Sequence, residues 1–170
     1  MAAPFTAEQQ RRFDEEMEKI LARFPEDRKR AAVLPALHLV QDMLGWIPEE
    51  AMVEVARKCE TTPEQVREVA TFYVMYFLEP KGKHVIDVCT NISCSLRGAE
   101  KLLAHLQEKL GVELGETTAD GLFTLREFEC MGACGNAPVL QVDSRFHMDM
   151  TLEKADRLIE SLRAQAAEKK

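Results

Sequence analysis

Between residues 6 and 78 the apolar positions recur every three or four residues, the period of helices with one buried face. Phe13, Met17, Ile20, Leu21 and Phe24 form one stripe, and Val33, Leu37, Val40 and Leu44 a second. Met52, Val55, Ala56 and Cys59 form a third, and Val66, Val69, Tyr73 and Phe77 a fourth, so four helices are expected. Thr6 with Gln9, Pro48, and Thr62-Pro63 with Gln65 read as helix starts, the last as a capping box. Pro35 must either open the second helix or kink it. The run Phe72 to Leu78 is apolar on every side of the fourth helix, more than one core-facing stripe needs, which makes it either an interior helix or a surface shared with a partner.

From Lys83 onward the rhythm changes. HVIDVC (84–89) has the short, branched character of a strand, and Ala99, Leu102, Leu103, Leu106 and Leu110 then make a helical stripe closed by Gly111. FTLREFEC (123–130), VLQVD (139–143) and RFHMDM (145–150) are three further strands, the last two joined by a tight turn. Leu152, Ala155, Leu158, Ile159 and Leu162 form a closing helix capped by Thr151, with the charged end AQAAEKK expected to fray. The fold class expected is α+β: an N-terminal helical domain over 1–80, then a small mixed sheet with flanking helices over 81–170.

This order brings four cysteines together. Cys89 ends the first strand and Cys130 the second, and a strand-helix-strand unit makes those strands parallel, by a right-handed crossover, so that they finish at one edge. The loops carrying Cys89-x4-Cys94 and Cys130-x3-Cys134 then lie side by side, where open α/β sheets tend to build sites. Four thiolates from two loops could hold zinc or iron and sulfur. Neither pair has the tight C-x2-C spacing of zinc knuckles, and the compact C-x2-C-x2-C run of bacterial four-iron ferredoxins is absent; two pairs suit a two-iron cluster, one pair to each iron. Ser93, Ser95, Gly132 and Gly135 beside them would let backbone N–H groups reach cluster sulfurs, although Gly and Ser in loops often signify only turns. A dithiol oxidoreductase is a rival reading, but it would use C-x-x-C and leaves the second pair unexplained. Cys59 reads as an ordinary core cysteine.

Composition narrows the function classes. The net charge is −7, with 10 Lys and Arg against 15 Asp and Glu in residues 1–80 and 12 against 14 afterwards, so neither half has the basic surface of a nucleic-acid binder. No apolar stretch is long enough to cross a bilayer, so any membrane association is expected to go through a partner. The start, MAAPFTAEQQRRFDEEMEK, lacks the apolar segment of a secretory signal and is too acidic for a transit peptide; a reducing, cytosolic setting without structural disulfides is expected. His38, His84, His105 and His147 lack ligand spacing, and no Gly-rich phosphate loop, nucleophile elbow or paired-carboxylate arrangement is present.

With V-C-x-x-x-x-C-x-L-x-G-A at 88–99 followed by E-C-M-G-A-C-G-N-A-P-V at 129–139, the chain resembles the small two-iron subunit of NADH:quinone oxidoreductase, respiratory complex I. GWIPEEAMVEVA, TTPEQVREVATFYVMYF and LGVELGETTADGLFTL are also similar to stretches of that family. The resemblance implies a thioredoxin-like ferredoxin domain behind an N-terminal four-helix domain, and one [2Fe-2S] cluster on Cys89, Cys94, Cys130 and Cys134, with Cys59 left without a role. It implies an electron-transfer subunit of an oxidoreductase that carries no catalytic site of its own. FMN and NADH would sit on a flavin-bearing partner subunit, within a complex on the cytoplasmic side of the bacterial inner membrane. Related subunits serve NAD-linked hydrogenases and formate dehydrogenases, and a zinc-binding assembly module is the alternative from another class. Ala137-Pro138 lies where thioredoxin folds often keep a cis-proline; a trans bond is the ordinary expectation for any single X-Pro, and both stay open.

Overall fold

Thr6 starts the first helix, α1 (Ala7–Leu21), through a closed capping box: its hydroxyl accepts the Gln9 N–H at 3.2 Å, and the Gln9 side-chain oxygen accepts the Thr6 N–H at 2.9 Å. The computed structural model describes residues 3–168 and divides between Pro80 and Lys81 into two units. In the first, a 3-10 turn (Glu26–Ala32) leads directly into α2 (Val33–Leu44), followed by α3 (Glu49–Lys58) and α4 (Pro63–Phe72). Pro35 falls in the first turn of α2, where its missing N–H would have had no helical partner. Phe13, Met17, Leu37, Val40, Val55 and Val66 close the core of this unit, with Cys59 among them.

Two expectations for this unit need correction. Thr62 caps α4 by accepting the Gln65 N–H at 3.4 Å, but the Gln65 side chain turns to the Thr61 hydroxyl, so the capping box is only half made. The FYVMYF run is not helical beyond Phe72. Gln41 on α2 takes up the backbone that would have continued the helix: its amide donates to the Met75 carbonyl at 2.9 Å and its oxygen accepts the Phe77 N–H at 2.7 Å. The Phe77 carbonyl receives the Ile47 N–H at 2.8 Å, and the Tyr76 hydroxyl donates to the Leu34 carbonyl at 2.9 Å. Long-range bonds thus replace the local ladder. Tyr76 is buried as a result, while Phe72 and Val74 remain largely exposed.

The second unit is built on β1 (His84–Cys89), β2 (Phe123–Phe128), β3 (Leu140–Val142) and β4 (Arg145–His147), in the order β2-β1-β3-β4. β1 runs parallel to β2 and antiparallel to β3, and β3 antiparallel to β4. A short helix α5 (Ile92–Leu96), then α6 (Ala99–Leu110), fill the crossover, and α7 (Leu152–Glu168) closes the chain. Ile86, Val88, Phe123, Leu125 and Leu140 pack with Leu102 and Leu106 of α6 and Ile159 of α7. Gly82 allows the chain to pass close to β2, because a Cβ there would stand 2.7 Å from the Phe123 carbonyl carbon. Asp87 and Arg126, opposite one another on the two parallel strands, form a largely buried pair at 2.7 Å and so help hold the register of the strands that lead to the cysteines.

β2 stops two residues before Cys130 and β4 three before Met150, both shorter than the sequence pattern indicated, and α5 and a 3-10 turn at Cys134–Asn136 were not foreseen. α7 continues through Glu168, so five residues of the segment expected to fray are helical; Lys169 and Lys170 lie outside the described residues.

Ion pairs set a pH dependence. Asp14 on α1 meets Lys58 on α3 at 2.6 Å, and that contact first of all holds its carboxyl below the ordinary range. A carboxyl with a lowered folded pKa contributes stability above its unfolded pKa, about 3.9, which is lost as pH falls through the folded value. Asp14→Asn is therefore expected to lower the urea midpoint at neutral pH, with the gap to wild type closing as the pH drops through the folded pKa of Asp14. Equal gaps at both ends of that titration would show that the pair contributes nothing.

Candidate metal centre

Cys89 is the last residue of β1, and its N–H donates to the Val139 carbonyl at 3.0 Å. The ladder continues one residue further, with the Thr90 N–H on the Phe128 carbonyl at 3.1 Å. Asn91 then caps α5, its side chain accepting the Ile92 N–H at 2.9 Å, and the five-residue helix turns Cys94 back beneath the strand end. Asn91 is the signal that could have revealed this helix: a capping residue directly before a short apolar segment.

Both sulfurs of this first pair are buried. The Cys94 thiol is pushed above its ordinary range, chiefly by burial and then by its hydrogen bond with the Cys89 thiol, while a backbone hydrogen bond from Val139 pulls the other way. Cys134 is close enough to act on Cys94 electrostatically. Val139 thus serves both members of the pair through its backbone, a role that its side chain does not advertise in the sequence. The peptide bond between Ala137 and Pro138, just before it, is cis. Cys89, Cys94, Ala99, Ala137 and Val139 form a small apolar cluster of their own, with Met131 and Ala133 against it.

The second pair is differently placed. After β2 the chain leaves the sheet, and Cys130 and Cys134 are exposed. Gly132 adopts φ 71°, a left-handed conformation that glycine takes without strain, and its N–H points at the Cys130 sulfur at 3.4 Å. Cys134 opens the 3-10 turn that ends at Asn136. The four sulfurs therefore come as a buried pair and an exposed pair on neighbouring loops. Among the described residues, no three His, Cys, Asp or Glu side chains are arranged as the ligands of one metal ion would be.

The donor set fits an iron-sulfur group: four cysteines outside any disulfide, and backbone donors at two sulfurs of the kind that tune a cluster. The fifth cysteine stands apart. Cys59 belongs to the core of the first unit, and burial pushes its thiol up to about 11. The histidines have other environments: His38 lies against the Tyr76 ring, His84 pairs with Asp143 and His105 with Asp156, while burial holds His147 below its ordinary range.

Comparison with known proteins points to the same kind of cofactor. A family model described as thioredoxin-like [2Fe-2S] ferredoxin matches residues 17–163. An NADH-quinone oxidoreductase subunit of Rhizobium meliloti is 43% identical over 150 residues, covering 88% of this chain and 88% of the relative. NADH-quinone oxidoreductase subunit 2 of Thermus thermophilus is 42% identical, covering 87% and 82%. Among solved structures, an NAD+-reducing [NiFe]-hydrogenase in the air-oxidised state superposes with a TM-score of 0.70 at 24% identity; the match covers 84% of this chain but only 24% of that longer one.

Proposed function

Since the chain belongs to the thioredoxin-like [2Fe-2S] ferredoxin family, we propose that Cys89, Cys94, Cys130 and Cys134 hold one [2Fe-2S] group, the first two on one iron and the last two on the other. The chain is an electron-transfer subunit of the NADH-quinone oxidoreductase type, an oxidoreductase component and not a complete enzyme. The observation that supports this reading is that the loops following two parallel strands carry one cysteine pair each, the first pair buried and in mutual contact and Cys134 near enough to act on Cys94. When bound, the group supplies one-electron exchange. The chain's own part is to keep one pair of sulfurs away from water, to leave the other near the surface, and to aim backbone N–H groups at them, the factors that set a reduction potential.

In this reading the two units act as an N-terminal helical domain over 1–80 and a cluster-bearing domain over 81–170. The partner is a flavin-bearing, NADH-binding subunit, and the complex places this chain at the cytoplasmic side of a bacterial inner membrane. No helix among the described residues is long and apolar enough to cross a membrane. The hydrogenase likeness, at 24% identity, speaks for the fold alone.

The test is the aerobically purified chain. It is expected to be coloured, to contain two iron and two sulfide per chain, and to give the paramagnetic signal of one unpaired electron after reduction by dithionite. A colourless protein with stoichiometric zinc would instead favour the assembly module, and a metal-free protein with a redox-active thiol pair the dithiol enzyme.

A further inference from the structure

We propose that Asn136 and Asp149 form a positioning pair that holds the Cys134 arm in place; this rests on the reading of Cys134 as a ligand. Cys134 begins a three-residue 3-10 turn on the exposed side of the site, and a turn of that length has little internal support. Its own tie is the Asn136 N–H on the Ala133 carbonyl at 3.0 Å. The Asn136–Asp149 clamp is reciprocal: the Asp149 N–H donates to the Asn136 carbonyl at 2.8 Å, and the Asn136 side-chain amide donates to the Asp149 carboxylate at 3.1 Å.

Asp149 is itself anchored. The Met150 N–H reaches the Pro138 carbonyl at 3.0 Å, and Lys154 from α7 donates to the Asp149 carbonyl at 2.7 Å. The segment 149–150 therefore runs along 136–138 and ties the cysteine loop to the start of α7. Asp149 has φ 49°, which takes the chain out of the extended conformation before Met150, so that the strand cannot run through 145–150 as the sequence pattern indicated. Asp is one of the few non-glycine residues that tolerate this conformation, and unlike glycine it offers an acceptor to the Asn136 amide.

The full chain, purified with its cluster, is compared as wild type, Asn136→Ala, Asp149→Gly and Asp149→Asn. Asp149→Gly keeps the left-handed backbone and the N–H but removes the acceptor; Asp149→Asn keeps both the conformation and an acceptor oxygen. Loss of partners that orient a ligand typically weakens metal holding by about 10–100-fold, so iron loss to a chelator is expected to be at least about tenfold faster in Asn136→Ala and Asp149→Gly. The reduced-state paramagnetic spectrum is expected to shift in the same two variants, and Asp149→Asn to behave as wild type. The double variant Asn136→Ala with Asp149→Gly is expected to be no worse than the worse single one, as for two ends of one contact. Wild-type iron loss in both disabling variants would overturn the proposal, as would faster loss with an unchanged spectrum, which would indicate general loosening. If Asn136→Ala fails to fold, the contrast between Asp149→Gly and Asp149→Asn decides the matter, and equal behaviour of those two overturns it. Cys134→Ser in the same assays separates the two levels: a wild-type spectrum there would remove the ligand reading itself, whereas an altered one beside an unchanged Asn136→Ala removes only the clamp.

Discussion

Replacing Cys89, Cys94, Cys130 or Cys134 with Ala is expected to strip the iron or leave a disturbed remnant, whereas Cys59→Ala is expected to keep a full complement. The contrast follows from where the thiols lie. A metal ligand must give up its proton and reach the metal; Cys59 is enclosed in the helical core, where burial raises its thiol to about 11. Its replacement removes one buried sulfur from the helical unit and costs stability within the ordinary range for point mutants, about 1 kcal/mol. The two pairs are expected to differ among themselves. Ala at Cys89 or Cys94 empties a packed, buried position, while at Cys130 or Cys134 it alters an exposed loop. Unfolding midpoints of the apoproteins should therefore fall for the first pair and move little for the second. Iron content of the five variants is the primary measurement, and full iron in any one of the four would remove that residue from the ligand set.

The chain purified free of flavin and partner is expected to show no NADH oxidation above background with an artificial electron acceptor. A nicotinamide gives up a hydride, two electrons at once, while a two-iron group ordinarily takes one, so a flavin must stand between them. The sequence has no Gly-rich phosphate loop in which a dinucleotide could be held. Adding the flavin-bearing subunit proposed as its partner is expected to bring this chain into electronic contact with NADH, seen as bleaching of its visible absorbance or as its reduced-state paramagnetic signal. Complete bleaching is not required, because a potential below that of the nicotinamide leaves the reduction partial. Sustained turnover by the isolated chain would overturn this expectation and place a catalytic site on the chain itself.

Most of the helices were legible because their signals are local. A 3.6-residue period, Thr6 with Gln9, and Gly111 after a leucine stripe each act within a turn or two of chain, and α1, α2, α3 and α6 follow them. The parallel pairing of β1 with β2 was legible for a different reason, since a strand-helix-strand order leaves the chain few other arrangements. That pairing alone puts the two cysteine loops at one edge of the sheet.

Other features depended on groups far apart in sequence. The FYVMYF run has a helix-like pattern, yet Gln41, more than thirty residues earlier, binds its backbone and stops the helix. The segment expected to complete β4 turns left-handed at Asp149, which bonds to Asn136, thirteen residues away, and the cysteine pair depends on the backbone of Val139, fifty residues beyond Cys89. By itself the sequence determined which residues could be buried, which segments could be regular, and which four thiols could meet, since these follow from side-chain chemistry and short-range geometry. Only the tertiary structure decided where the regular segments stop and which thiols are shielded from water, because a backbone N–H or C=O bonds whatever partner the fold brings within about 3 Å, however far along the chain it lies.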